Sequence, residues 1–463
     1  MTIPERRILS SWRPHLTAAD GPAYAQIVEA LASDIGRGGL AQGARLPTQR
    51  ALAERIGVGI GTVTRAYAEA EARGLIEAVV GRGSFVAGAP AVRQGDGVID
   101  LSRNVAPMAP AAAALRGAIA AVARRSDLVG RLDYAPDAGF VADRRAAAQW
   151  LRRMANFDGA DEDGLIVTAG AQQAIAVALA ALCRPGDAVI VEAATFNGVK
   201  LAAAQMGLRI AAAAMDAEGV TPQALDRAAA ESGARVAYLQ PFQNPTARVM
   251  GLQRRRDVIA AARRRGVVLI EDDLYGPHVA DLGLPPLAEL APDQVAYVSG
   301  LSKSLAPGVR TGFLIPPQRH RGAALDALRA ASFGAPSFGA VLATQWIESG
   351  AAFDVFAAIQ RELGRRAELA RTALAGLIEP TAHAASPHLW LPLGELEAER
   401  IAGQALRAGV RVTPPRAPFV DGVPVDGLRI CLGAAADLTA LERGLAILRT
   451  TLAPGPAPRE NVV

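Results

Sequence analysis

From Ile99 to about Ala453 the chain alternates short, uninterrupted apolar runs with longer alanine-rich stretches of helical period. The runs include Leu165-Ile166-Val167, Ala188-Val189-Ile190-Val191, Val236-Ala237-Tyr238-Leu239, Val267-Val268-Leu269-Ile270 and Val295-Ala296-Tyr297-Val298. They are too short for helices and do not alternate polar with apolar. A strand of this kind is buried on both faces, so the pattern predicts a mostly parallel sheet covered by helices on either side. At 463 residues with 51% hydrophobic content, the chain has material for two or more domains.

Charge and cysteine usage narrow the class. The net charge of +4 is small for this length. The first ninety residues hold ten arginines and eight acids, a net of 10 − 8 = +2, so a case for nucleic acid has to rest on pattern. Cys183 and Cys431 each sit in apolar surroundings and read as small buried residues; neither a disulfide frame nor a metal site is expected. The first residues lack the apolar run of a signal peptide, and no stretch of about 18 uncharged apolar residues suits a membrane span. The expected compartment is a reducing cytoplasm.

Five segments are expected: a polar lead-in over 1–20, a compact module over 21–87, a Gly/Pro-containing linker over 88–98, a large domain over 99–453 and a disordered tail over 454–463. In the module, Thr48 is placed to cap a helix over Gln49–Ile56, and Gly57 to end it. A second helix from about Gly61 to Arg73 carries Val63, Ala66, Tyr67 and Ala70 on one face. Thr62, Thr64 and Arg65 lie off that stripe near the helix start, the part of a helix-turn-helix that enters the major groove. Gly81-Arg82-Gly83, between two β-prone runs, predicts a hairpin with an arginine at its tip.

Several segments of the module fit one known pattern: Tyr24-Ala25-Gln26-Ile27, Gly43 through Ala53, Thr62 through Tyr67, Gly74-Leu75-Ile76-Glu77 and Gly81 through Val86. Residues 21–87 resemble the winged helix of GntR-type transcriptional regulators. The resemblance implies double-stranded operator DNA as partner, with Arg45, Arg50, Thr62, Thr64, Arg65 and Arg82 facing it. Gly59-Ile60-Gly61 departs from the family, which often carries a serine and an arginine there.

Only two of the 49 basic residues are lysines, Lys200 and Lys303. A lysine retained in so arginine-rich a chain marks chemistry that a permanently charged guanidinium cannot perform, such as Schiff-base formation. The neighbours of Lys303, Ser299-Gly300-Leu301-Ser302 before it and Arg310 after it, favour that reading; Lys200 reads as a chance surface lysine. Other segments supply compatible parts. Gly170-Ala171-Gln172 opens a helix after a strand and offers backbone N–H groups to a phosphate. Phe196 offers a ring, Asn244 an amide, and Glu271-Asp272-Asp273 three acids at a strand end, with Tyr275 close behind.

In this order these parts resemble fold-type I pyridoxal-phosphate proteins of the class I/II aminotransferase group, over about 99–450. The resemblance implies an α/β fold with a mostly parallel central sheet and a smaller C-terminal α+β subdomain. It implies pyridoxal 5′-phosphate as cofactor and Lys303 as the internal aldimine lysine. Asp272 would pair with the pyridine nitrogen, and Asn244 and Tyr275 would bond the ring hydroxyl. Phe196 would stack on the ring, with Gly170, Ala171, Gln172, Ser302 and Arg310 around the phosphate. Arg429 would grip a substrate carboxylate, and Tyr134 would be lent to the neighbouring subunit of a homodimer. Gly300 departs from a usual serine, so that either one phosphate hydrogen bond is lost or Ser299 substitutes for it, and Ala247 departs from a common glycine.

Together the two resemblances have the layout of MocR/GabR-type regulators. That layout implies a pyridoxal-phosphate-dependent transcriptional regulator sensing a small amino compound by aldimine exchange at Lys303, with no membrane partner. The alternative is an aminotransferase, amino acid to 2-oxo acid, carrying an accessory DNA-binding domain.

Overall fold

A computed structural model describes residues 12–14, 16, 21–36, 39–40, 43–73, 75–79, 83–86, 97–380, 383–420 and 427–453. Most of the expected lead-in, Arg82, the linker up to Asp96 and the tail lie outside the described residues. The chain divides into two compact units, Met1–Gly95 and Asp96–Val463.

The first unit has helices α1 (Ala23–Gly36), α2 (Gln49–Ile56) and α3 (Ile60–Ala72), then antiparallel strands β1 (Ile76–Val79) and β2 (Gly83–Val86). The Thr48 side chain accepts the Ala51 N–H at 3.2 Å, and Gly57 ends α2 with φ +68°. Helix α3 is tied to the start of α2 from the core: the hydroxyl of Tyr67, a residue 3% exposed, donates to the Pro47 carbonyl at 2.8 Å. Val28, Leu31, Leu52, Val63, Ala66 and Ala70 close the core around it. The chain before α2 adds an unforeseen third edge to the hairpin. Gly43 N–H donates to Val86 O, Val86 N–H to Ala44 O, and Leu46 N–H to Ser84 O.

The second unit is built on seven strands: β3 (Ile166–Thr168), β4 (Ala188–Glu192), β5 (Arg209–Ala213), β6 (Val236–Leu239), β7 (Val268–Asp272), β8 (Val295–Gly300) and β9 (Gly312–Ile315). Their order is β3-β9-β8-β7-β6-β4-β5, parallel except for β9, which runs antiparallel to both neighbours. Strands β4, β6 and β8 are buried along their whole length, as uninterrupted apolar runs require, and separate hydrophobic clusters pack on the two faces. Two strands escaped the sequence reading. Strand β5 is mostly alanine on a half-exposed edge, and β9 is short and opens with glycine.

A smaller α+β layer completes this unit. Ile99–Leu101 pairs in parallel with Val410–Val412, and His388–Pro392 pairs antiparallel with Gly427–Cys431. Leu101, Leu391, Ile401, Val410, Ile430 and Leu445 form its own core. This subdomain is therefore not wholly C-terminal, because its first strand comes from the start of the unit.

The ends of the parallel strands carry buried acids. Glu192 closes β4 with no exposure; its Oε2 accepts the Gln240 N–H at 3.1 Å. Burial pushes its carboxyl up to about 8. The folded state thus holds a proton that the unfolded chain releases near the ordinary value of 4.5. Stability from this group is complete below that value and is lost as pH rises through about 8. Glu192→Gln, neutral at every pH, should match wild type in thermal melts near pH 4 and exceed it increasingly up to pH 8, by on the order of a few kcal/mol.

Candidate functional site

Strand direction brings the site together. Strands β4, β6, β7 and β8 deliver their carboxyl ends to one side of the sheet, where parallel α/β folds place ligands. A cavity of about 210 Å³ lies there, lined by Ala171, Gln172, Phe196, Asn244, Asp272, Tyr275, Ser302, Lys303, Arg310 and Arg429. All ten were singled out from sequence. Asn104, Gln240, Leu274 and Pro307 also line it and were not.

Lys303 follows β8 and donates from Nζ to the Asn104 carbonyl. Burial, with the Arg429 guanidinium nearby, lowers its ammonium from 10.5 to about 8. Two buried histidines brace the segment. The Lys303 carbonyl can only accept, so His278 Nε2 carries a proton and donates to it at 3.1 Å, while Nδ1 faces the Gln360 amide at 2.9 Å. His388 Nδ1 lies 2.8 Å from Asn104 Nδ2 and so acts as acceptor. Burial pushes both imidazoles down, to about 4 and about 3, so both are neutral.

Asp272 ends β7, 3% exposed. Its Oδ2 accepts from the Tyr238 hydroxyl and from Gln240 Nε2 at 3.2 Å; its Oδ1 accepts the Leu274 N–H at 3.2 Å. Burial raises this carboxyl, and the Tyr238 bond is the largest opposing effect. The other two acids are absorbed structurally. Glu271 accepts the N–H groups of Leu287 and Ala288 at 2.7 and 2.9 Å, and Asp273 accepts the Tyr297 hydroxyl at 2.8 Å. Asp272 alone of the three faces the cavity.

On the side of Arg310 the backbones approach closely. Gly170 has φ +78°, and a β-carbon there would lie 2.8 Å from Arg310 Nη2, so only glycine fits. Arg310 donates to the Ala169 carbonyl at 2.8 Å. Gln172 Nε2 donates to Gly198 O at 2.9 Å, which leaves the backbone N–H groups of the helix Ala171–Leu182 as the donors at this end. A β-carbon at Gly300 would meet the Thr311 carbonyl at 3.0 Å and Gly312 Cα at 3.1 Å, which accounts for the missing serine. Ser299 does not replace it, since its hydroxyl is turned to the Asp273 carbonyl at 3.2 Å.

Arg429 reaches in from the small subdomain. Its Nη1 donates to Asn244 Oδ1 at 2.6 Å, Nε to Thr413 Oγ1 at 3.1 Å and Nη2 to Ser102 O at 3.0 Å. Three of five guanidinium protons are thus used and two remain for an anion. The bond to Asn244 also fixes that amide, so its NH₂ is the end left to donate. Backbone strain concentrates here: Arg310 has φ +51° and Ala247 φ +60°, each worth roughly 1 kcal/mol or more for a residue with a β-carbon. Ala247 thus keeps the left-handed backbone that a glycine would adopt freely.

Lys200 is not a chance surface lysine: it is partly buried and donates to the carbonyls of Ala417 and Phe419, both at 2.7 Å. Tyr134 lines no part of this chain's cavity; it is 79% exposed, with its ring 5.7 Å from that of Phe333.

In the first unit, Arg50 and Arg65 are exposed and Arg45 and Thr62 half-exposed. The Arg65 guanidinium lies 3.9 Å over the Tyr24 ring, and Arg50 pairs with Glu54 at 3.5 Å. The Thr64 hydroxyl is engaged within the fold, 2.8 Å from Gln49 Oε1 and 3.0 Å from Ile60 O. Arg82 lies outside the described residues.

Comparison with known proteins agrees with both halves. Residues 96–448 match the family of aminotransferases class I and II, and residues 23–86 match bacterial regulatory proteins of the gntR family. The HTH-type transcriptional regulator YdeF of Bacillus subtilis is 30% identical over 96% of this chain and 97% of its own length. YjiR of Escherichia coli, also named an HTH-type transcriptional regulator, is 28% identical over 70% of this chain and 76% of its own. Among solved structures, a kynurenine aminotransferase of Pyrococcus horikoshii, in complex with PMP, superposes with a TM-score of 0.69. It is 21% identical, over 77% of this chain and 91% of that one, a likeness of fold. The chain belongs to the class I and II aminotransferase family and carries a GntR-family DNA-binding domain, the architecture of MocR-type regulators.

That family uses pyridoxal 5′-phosphate, and the residues present fit it. The cavity offers one amine, one carboxylate, one ring, an amide beside a phenol, and a helix N-terminus beside Arg310. The Gln240 Oε1 acceptor is buried in its wall with no partner, a polar atom that awaits a donor. The amine must be neutral to attack an aldehyde. The rate at which apo-protein captures pyridoxal phosphate should therefore climb about tenfold per pH unit and level off near pH 8. Stopped-flow absorbance measures it; a climb continuing to 10.5 would contradict a desolvated Lys303, and Lys303→Arg should show no capture.

Proposed function

We infer that this chain is a pyridoxal-phosphate-dependent transcriptional regulator that reads a small amino compound carrying a carboxylate and acts on an operator in double-stranded DNA. The observation that carries the reading is the joining, in one chain, of a GntR-type winged helix to a cavity where Lys303, Asp272 and Arg429 converge. Bound there, pyridoxal phosphate supplies an aldehyde that condenses reversibly with primary amines. Lys303 would hold it, Asn244 and Tyr275 would orient the ring hydroxyl, and Phe196 would cover the ring. Arg310, Ser302 and the N–H groups of Ala171 and Gln172 would hold the phosphate, with Gly170, whose own N–H donates to the Thr168 carbonyl at 2.8 Å, admitting Arg310 beside them, and the open donors of Arg429 would select for a carboxylate.

The regulator works as a homodimer in the cytoplasm on this reading. Tyr134 and Phe333, 79% and 70% exposed with their rings 5.7 Å apart, leave a pair of large apolar groups at the surface that a second copy would cover. Of the described residues, Arg45, Arg50, Thr62 and Arg65 would face DNA, with Thr64 holding the start of α3 through Gln49. Among the described residues no helix is long and apolar enough to cross a membrane.

Footprinting with and without amines and amino acids tests the reading. A discrete repeated or palindromic site is expected. Arg65→Ala should weaken it by about 1–3 kcal/mol, whereas Lys303→Ala should keep the footprint and lose its response to amine. Uniform, salt-sensitive binding to any DNA would reject sequence-specific control. The intact set Asn244, Asp272, Tyr275, Lys303, Arg310 and Arg429 also supports transamination. Formation of 2-oxo acid at ordinary turnover would favour that second reading, and a spectral change without product would favour sensing.

A further inference from the structure

Tyr238 was legible only as part of an apolar strand, yet it is fully buried with its hydroxyl on Asp272. Register explains why. Tyr238 of β6 lies beside Ile270 of β7, and side chains two apart share a face, so Tyr238 and Gln240 rise on the same side as Ile270 and Asp272. Both then reach one oxygen, Oδ2, while the Leu274 N–H holds the other. Three donors on a carboxylate that solvent does not reach favour its ionised form and fix its rotamer.

We propose that Tyr238 is a positioning residue for the cofactor: its hydroxyl holds Asp272 as a carboxylate, so that the shared proton sits on the pyridine nitrogen of the bound cofactor. The proposal rests on the cofactor reading above and adds to it a residue outside the cavity wall.

The surroundings make such a donor necessary. Charged or titratable groups near Asp272 are Glu192, Glu271, Asp273, Tyr275 and Lys303 as well as Tyr238. The three neighbouring acids raise the energy of a further negative charge wherever they ionise. Lys303 favours that charge only while its nitrogen is protonated, and burial weakens its hold on that proton. The Tyr238 phenol is itself held well above its ordinary range by burial and by Asp272, so it keeps its proton and donates. Of the three donors it is the one whose removal leaves the backbone and the cavity wall intact.

The test loads full-length protein with pyridoxal phosphate isotopically labelled at the ring nitrogen and reads that nitrogen by NMR, with no turnover required. Wild type should show a protonated ring nitrogen through the neutral pH range. Tyr238→Phe should move the resonance toward that of Asp272→Asn, where no carboxylate is present. It should also raise the cofactor dissociation constant about tenfold, the loss of one hydrogen bond to a charged group. A Tyr238→Phe resonance that coincides with wild type would overturn the proposal, because a purely packing role leaves the ring nitrogen unmoved. Should that variant fail to fold, Gln240→Met removes the other side-chain donor on Oδ2. It is expected to move the resonance the same way by a smaller step, and an unmoved resonance overturns the proposal again. A wild-type chain that retains no labelled cofactor on Lys303 would overturn the cofactor reading itself, a result distinct from an unmoved resonance in loaded protein.

Discussion

A carboxyl group buried to this degree must be met by hydrogen-bond partners, and Asp272 sets that demand on everything around it. Its position at the end of β7 fixes which neighbours can answer: Tyr238 and Gln240 from β6, and the first N–H after its own strand. The flanking acids have to be neutralised by other means. Glu271 takes the N-terminus of the short helix Leu287–Leu290, and Asp273 takes Tyr297 from β8. Three consecutive acids thus acquire three different sets of partners, because alternation along the strand and the turn after it send them in different directions.

The same cavity holds two cations in different ways. Burial weakens the ammonium of Lys303, whereas the guanidinium of Arg429 is met by Asn244, Thr413 and the Ser102 carbonyl. On the proposed reading, one cation would be made reactive and the other kept as an anion receptor. This division explains why the arginine-rich chain retains lysine at 303. The neutral histidines His278 and His388 bind the lysine segment and Asn104 without adding a further charge.

Much of this was legible in sequence because it depends on residue type at strand ends. The uninterrupted runs identified the buried strands, and Lys303, Asp272, Asn244, Tyr275 and Arg310 could be placed just beyond them. What sequence hid falls into two kinds. Partnerships across register, such as Tyr238 with Asp272 or Thr413 with Arg429, need strand pairing before they exist. Roles set by close approach were hidden too: Gly300 excludes a side chain because of Thr311 and Gly312, and Ser299 points away to Asp273. Lys200 was misread for a third reason. Its partners are backbone carbonyls more than 200 positions later, and a carbonyl leaves no mark in the residue type that carries it.

Lys200 also shows how the two layers of the second unit are tied. Its two bonds to Ala417 and Phe419 are joined by Thr195 N–H to Pro418 O at 2.8 Å and by Val420 N–H to Ala193 O at 2.9 Å. The small-subdomain segment 417–420 is therefore fastened to the residues on either side of Phe196. Across the cavity, Arg429, Thr413 and Ser102 belong to the small subdomain, while Asn244, Asp272 and Lys303 belong to the large one. A ligand anchored at one end by Arg429 and at the other by Lys303 must touch both layers. Its binding energy depends on the angle between them, and that dependence is what an effector needs to favour one state of a protein over another.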